Sequence, residues 1–312
     1  MPRALTDAER LHHAATLRQR TGEVLLRAQA DVARIRRAFA ETLAGQDLDR
    51  MGFYARETLD ATMRQLAFEA VMAGRALAPH AVAGLLERGL QAWSLIVPLA
   101  ARAGRDLWLP TGHEAQLPWL WALAELTGDE PAAAWLGQLQ HAFFRSGVID
   151  SVPGDPQFNE LLWWLAKTRH TGEWPDAQDL PDALGRYRPL MERQPGSGDT
   201  VGHAMETLGD IALRCRAAWH PVQADLIYET DPWGLLPLDL QLLSHRRAVM
   251  LGTPLPWPRS HPWLAVLPVT SPVGPLPAVA EADPLAAQLE AVATHALGER
   301  WMRCPPLPAL PD

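Results

Sequence analysis

Asp239 sits in the leucine-rich run Leu235–Leu243, one turn ahead of Ser244-His245. Desolvation raises a carboxyl group into the range of general acid–base work, so this is the first place to look for chemistry. The structural alternative is equally concrete. A buried carboxylate is rarely left unpaired, so Asp239 should meet an Arg or a helix end, or else line a groove. Glu206 and Asp210 are spaced to share a helix face, with Arg214 on the next turn. Desolvated, they are an acid–base pair; exposed, Asp210 forms an i,i+4 surface ion pair with Arg214 worth about 0.3–0.5 kcal/mol. The structural reading is adopted for both sets.

Eleven histidines invite a metal. His113-Glu114 begins like a zinc-protease motif but lacks the second histidine, with Leu117-Pro118 standing there instead. A di-iron bundle needs Glu-x-x-His twice, and only Glu9–His12 has the spacing. Adjacent His12 and His13 point to different sides of a helix. Gly196-Ser197-Gly198 misses the nucleophile-elbow pattern, and Gly196, Gly198 and Gly202 fall out of register for a dinucleotide fingerprint. No Gly-Lys phosphate loop occurs, because Lys167 is the single lysine. These features read as turn chemistry, and neither metal nor cofactor is expected.

The elements that would hold such residues are helical. Val201, Met205, Leu208, Ala212, Cys215 and Trp219 form one stripe, followed across an elbow at Trp219-His220-Pro221 by the leucine-rich segment. Asp231 can cap that second helix, with Pro232 at its first position. So few polar positions make it central. Upstream, Thr6-Asp7-Ala8-Glu9 is a capping box opening a long helix with a possible break at Thr21-Gly22. Further helices are expected from about Gly45–Asp49 onward, from Pro79 (kinked or ended at Pro98), from Pro118 to Gly128, from Asp129-Glu130-Pro131 to Gly147, and from Asp155-Pro156 to Gly172. Residues 173–199 are rich in Pro, Gly and Asp and read as an exposed, mobile connection. Thirteen of the 28 prolines lie in residues 253–312, where Pro254-Leu255-Pro256-Trp257-Pro258 excludes a helix. That segment should strap over the helices, with one short helix from Asp283-Pro284 and fraying from Cys304 to Asp312. The expectation is an all-α multi-helix bundle of paired antiparallel helices. Residues 1–252 would be the helical domain, and the Pro-rich strap 253–312 would pack on the same domain.

Charge narrows the partners. The formal net charge is −8, made of +3 over residues 1–110, −7 over 111–200 and −4 over 201–312. An acidic middle and end argue against nucleic acid, which needs a basic face, and leave a basic protein as the fitting partner. Two distant cysteines fit neither a disulfide framework nor a zinc site. The N-terminus lacks an apolar signal core, and no apolar run reaches membrane-spanning length, so a cytoplasmic protein is expected.

Pro118-Trp119-Leu120-Trp121-Ala122-Leu123-Ala124, the Trp219-His220 helix, Gly234-Leu235-Leu236-Pro237-Leu238 and Ser260-His261-Pro262-Trp263-Leu264 together carry a resemblance. Over residues 110–265 the chain resembles the large helical immunity proteins of bacterial toxin systems, particularly the immunity protein 49 family. It has Trp263-Leu264-Ala265 where that family tends to show Tyr-Leu-Pro. The resemblance implies an α-helical antitoxin that binds and blocks one cognate secreted toxin, without catalysis. A cytoplasmic antitoxin would meet a toxin acting inside the cell, for which a basic substrate cleft is expected. Asp176, Asp179 and Asp182 in the connection, and Asp225, Glu229 and Asp231 at the later elbow, are the candidate partner-binding residues. The competing readings are an all-α enzyme with a Trp-lined pocket and a helical-repeat scaffold.

Overall fold

In the computed structural model the described residues are 3–102, 116–146, 156–193, 198–218, 236–258, 260–265, 283–298 and 302–307. They fold as an all-α bundle, with no strand among them. In chain order the helices are α1 (Asp7–Ala44), α2 (Leu48–Ala73), α3 (Pro79–Arg102), α4 (Gln116–Thr127), α5 (Glu130–Arg145), α6 (Pro156–Thr171), α7 (Arg188–Met191), α8 (Gly198–Ala218), α9 (Leu238–Leu251) and α10 (Pro284–Leu297). Two 3-10 turns, Ala177–Asp179 and Asp182–Tyr187, join α6 to α7.

Local signals set most boundaries. The capping box forms as written: Thr6 N–H donates to Glu9 Oε2 at 2.8 Å, and Glu9 N–H donates to Thr6 Oγ1 at 3.3 Å. Asp129 caps α5 by accepting from Ala132 N–H, and Asp283 caps α10 by accepting from Leu285 N–H. Gly128, Gly172, Gly252 and Gly298 all take positive φ just past a helix. That is the left-handed stop which glycine adopts without a Cβ clash. Three expectations need correction. Thr21-Gly22 does not break α1, because Thr21 Oγ1 donates to Leu17 O at 2.8 Å and Gly22 makes room for the Met72 methyl. Pro98 does not end α3, which runs on to Arg102. In the helix expected from Pro232, Leu236 and Pro237 are not helical and α9 starts at Leu238; Pro237 has ψ 50, and its ring crowds the backbone of Leu236 and disfavours α geometry there. The proposed Asp231 cap lies outside the described residues.

The chain divides into two compact units that each draw on separate stretches of sequence. The first comprises Met1–Leu25, Ala67–Leu77 and Pro153–Thr270. Its centre is α9, where Leu238 to Leu243 are all buried and Arg246 and Arg247 are buried with them. Arg247 is 1% exposed: Nη1 donates to the carbonyls of Leu190 (2.9 Å) and Glu192 (2.6 Å), and the guanidinium lies 5.6 Å from the Trp174 ring centre. Residues 173–193 are therefore not the bare loop that composition implied. Trp174, Leu180, Leu184, Tyr187, Leu190 and Met191 are core, and Trp174 Nε1 donates to Met191 O at 2.7 Å. Leu255 N–H donates to Ser244 Oγ of α9, which fixes Leu255 on that helix, and within the Pro-rich segment Trp257 Nε1 donates to Leu264 O. On α6 the Lys167 ammonium sits 5.0 Å from the Trp163 ring centre and 4.3 Å from that of Trp164.

The second unit comprises Leu26–Leu66, Ala78–Val152 and Ser271–Asp312. Here α4 and α5 form a hairpin across Gly128-Asp129, and every residue of α4 is buried. The four-residue spacing of Trp121 and Glu125 lets the buried indole Nε1 donate to the carboxylate at 3.2 Å. Phe39, Leu43, Met51, Ala92, Leu95 and Leu289 bring α1, α2, α3 and α10 into one apolar cluster. The segment expected to fray is instead anchored over residues 302–307. Cys304 N–H donates to Ser94 Oγ (2.9 Å), Trp135 Nε1 donates to Pro305 O (2.7 Å), and Arg303 pairs with Asp129 and Glu87. Residues 308–312 lie outside the described residues.

Close approach of α3 and α4 depends on Gly89, whose added Cβ would lie 2.3 Å from Leu120 Cδ2; at Gly84 on the same helix nothing lies within 4 Å. Both substitutions to alanine gain the same helix propensity, about 0.5–1 kcal/mol. Only Gly89→Ala collides with a fully buried leucine, at a cost of about 1–3 kcal/mol. In urea denaturation Gly84→Ala should raise the midpoint and Gly89→Ala lower it. Equal shifts would show that α3 and α4 do not meet here.

Candidate functional site

Asp176, Asp179 and Asp182 are all exposed, on the edge of the 173–193 segment whose apolar side chains are buried beneath them. The expected acidic cluster is partly neutralised from within. Arg193 approaches Asp176 at 3.5 Å and Arg188 pairs with Asp182, while Asp179 forms no ion pair among the described residues. Six-residue spacing brings Arg188 back to Asp182 across the 3-10 turn, which contains Gly185 at φ 49, with Gln157 against it. Asp225, Glu229 and Asp231 lie outside the described residues.

Glu206 and Asp210 do share a face of α8, but not as a surface pair with Arg214. Asp210 is 3% exposed, and its two oxygens accept four bonds. Oδ1 takes Arg10 Nε at 2.8 Å and His261 Nε2 at 3.1 Å; Oδ2 takes Leu5 N–H at 2.8 Å and Arg10 Nη2 at 3.3 Å. Arg10 Nη2 also reaches Glu206 at 3.2 Å. Burial pulls the Asp210 pKa upward, but these donors outweigh it and hold the group below the ordinary 3.8. His261 is 0% exposed, and Trp263 N–H donates to its Nδ1. Nε2 therefore carries the proton and donates to Asp210. The ring fits because residue 209 is glycine: a Cβ there would lie 2.6 Å from His261 Cε1. Burial, aided by the Arg10 charge, lowers the His261 pKa below 6.5 despite the bond to Asp210. An ionised carboxylate with every acceptor position occupied holds structure together and has no site left to take a proton.

Asp239 differs. It lies in the first turn of α9, 7% exposed, and Oδ2 accepts from the Tyr187 hydroxyl at 2.8 Å, while buried Oδ1 has no partner. It stands in the first turn of a helix, and its hydrogen-bonding side chain is a tyrosine where an arginine was expected. Burial raises its pKa, which the Tyr187 hydroxyl and the N–H of Leu240 offset only in part. Burial and the Asp239 charge likewise push the Tyr187 hydroxyl well above 10.

A third carboxylate, at the start of α10, gathers two arginines. Asp283 receives Arg36 Nη1 and Nη2, each at 2.8 Å, and Arg88 Nε at 3.2 Å. Arg36, more than its burial opposes, holds Asp283 below the ordinary 3.8. The sequence gives no sign of partners 247 residues apart; Gly209, one of three glycines in α8, is the local hint of a close approach beside Asp210.

Among the described residues no group of three or more His, Cys, Asp or Glu side chains gathers to hold a metal ion, and no helix is long and apolar enough to cross a membrane. Glu9, of the Glu9–His12 pair, is engaged by Thr6 and Arg3. Comparison with protein-family models, curated proteins and solved structures finds no match.

Asp210→Ala should cost about 3 kcal/mol, because it leaves Arg10 and buried His261 without their acceptor. A group with a depressed folded pKa contributes stability above its unfolded value and loses it as pH falls through the folded value. For His261, whose folded pKa is depressed, the unfolding temperature of the wild type should therefore fall as pH drops below about 6.5. In His261→Gln, whose amide donates without titrating, that step should vanish. A step of equal size in the variant would remove His261 as its source. Asp239 has the opposite sign, since its folded pKa is raised: its contribution is present below 3.8 and is lost as pH rises through the folded value. Asp239→Asn should then gain on the wild type as pH climbs from 4 to 8. A gap that stays constant across that range refutes it.

Proposed function

We propose that this chain is a non-catalytic immunity protein that binds and neutralises one cognate bacterial toxin in the cytoplasm. The observation that carries this reading is the acidic edge of residues 173–193. Three aspartates stand in solvent on a backbone fixed by six buried apolar side chains, so a partner would meet a preformed surface. A net charge of −8 suits a toxin with a basic face, and complementarity of that kind accelerates encounter more than it tightens the complex. Asp179 offers its charge directly, whereas Asp176 and Asp182 must exchange Arg193 and Arg188 for groups on the partner.

The enzyme reading required tryptophans around an open pocket. Trp93, Trp119 and Trp121 are instead among the most deeply buried side chains, and the cavity lined by Arg36, Arg88 and Asp283 includes none of them. That favours binding over catalysis as the business of the surface.

The test is co-expression with the toxin gene adjacent to this one. Growth arrested by the toxin should be restored by the wild-type chain. The combined charge reversal Asp176→Arg, Asp179→Arg and Asp182→Arg should slow association at least tenfold at low salt and abolish protection. If the wild type gives no protection the immunity reading is wrong. If the triple variant protects fully, the acidic edge is not the contact.

A further inference from the structure

Two guanidinium groups meet one carboxylate at the start of α10. Arg36 commits both terminal nitrogens to Asp283, whereas Arg88 reaches it through Nε. The terminal amino groups of Arg88 are not used in that pair. Two positive charges against one negative leave one in excess, at the end of a helix whose N–H groups also favour anions. Burial, with Arg36 adding its repulsion, lowers the Arg88 pKa, as expected of a cation short of counter-charge.

A small cavity opens here, lined by Arg36, Thr58, Arg88, Gln91 and Asp283 on its polar side. Thr58 is 5% exposed, and its Oγ1 has no hydrogen-bond partner. Helical threonines elsewhere in this chain return the hydroxyl to the carbonyl four residues back, as Thr21, Thr42, Thr62 and Thr127 do at 2.7–2.9 Å. A buried hydroxyl without a partner costs about 1–3 kcal/mol, so an absent acceptor is the economical explanation. The opposite wall is apolar, formed by Phe39, Leu59, Leu285 and Leu289.

We propose that this cavity binds the carboxylate end of a small monocarboxylic acid, with Arg88 and Thr58 as donors and a short hydrocarbon body against Phe39, Leu59, Leu285 and Leu289. Charge selects the class. A single excess positive charge balances a monoanion, and Asp283 beside it repels a dianion. The site shares no residue with the acidic edge and does not rest on the immunity reading.

Isothermal titration calorimetry of the full chain with sodium butyrate tests it, with sodium chloride and inorganic phosphate at matched ionic strength as comparisons. Butyrate should bind one to one and raise the unfolding temperature, while chloride and phosphate produce neither effect. Affinity should rise about threefold to fourfold per methylene from acetate to butyrate. Arg88→Gln, which leaves the Arg36 pair with Asp283 intact, should weaken butyrate at least tenfold. Thr58→Val keeps the side-chain shape without the hydroxyl, so it stays informative if Arg88→Gln folds poorly, and it should weaken binding severalfold. No saturable butyrate binding, equal responses to phosphate or chloride, or wild-type affinity in Thr58→Val would each overturn the proposal.

Discussion

The first unit depends on how one carboxylate is satisfied. Asp210 collects the Leu5 N–H from the N-terminal segment, the Arg10 guanidinium from α1 and the His261 imidazole from the Pro-rich segment. Any one of these donors alone would leave a desolvated charge undercompensated, which is why a buried ion pair is costly when half made and firm when every lone pair is filled. Gly209 is part of the same device, since the imidazole reaches Asp210 only where the helix surface lacks a side chain. Three stretches remote in sequence are thus tied by one group whose ionised form the fold requires. Asp239 shows the converse. With one donating side chain and one bare oxygen, its environment opposes ionisation.

Periodicity and capping made the helices legible, because both are local. Thr6–Glu9, Asp129 and Asp283 cap where their spacing says they should, and the leucine run of α9 is buried as its lack of a polar face implies. The failures are tertiary. Composition made residues 173–199 a loop, yet Trp174, Leu184 and Tyr187 bury themselves within turns too short to show a period. Proline content made the end of the chain fray, where Ser94 and Trp135 supply hydrogen bonds from helices far upstream. Glu206 and Asp210 looked like a surface pair because their nearest basic neighbour in sequence is Arg214, and nothing local announces Arg10 from 200 residues away.

Arginine does much of this long-range joining. Arg10, Arg36, Arg247 and Arg303 each fasten groups that lie far apart in the chain, and each does so with at least two bonds. A planar fork of donors can grip a carboxylate along its edge or span two carbonyls, which an ammonium group cannot do with the same fixed geometry. The arginine-for-lysine bias of the sequence, whatever its origin, is used structurally. Arg36 shows it best, its two terminal nitrogens each taking one oxygen of Asp283.

The exception, Lys167, has a chemical consequence of its own. Its amine is the single side-chain primary amine of the sequence, and it rests between two indoles set at 86° to each other. Acyl transfer modifies amines at ordinary pH and leaves guanidinium groups untouched, so the positive side chains of this molecule offer that chemistry one address. An acyl group there removes the cation from both indole faces. Modification at one nitrogen would then register in the emission of Trp163 and Trp164, giving the molecule a built-in optical reporter of its own acylation.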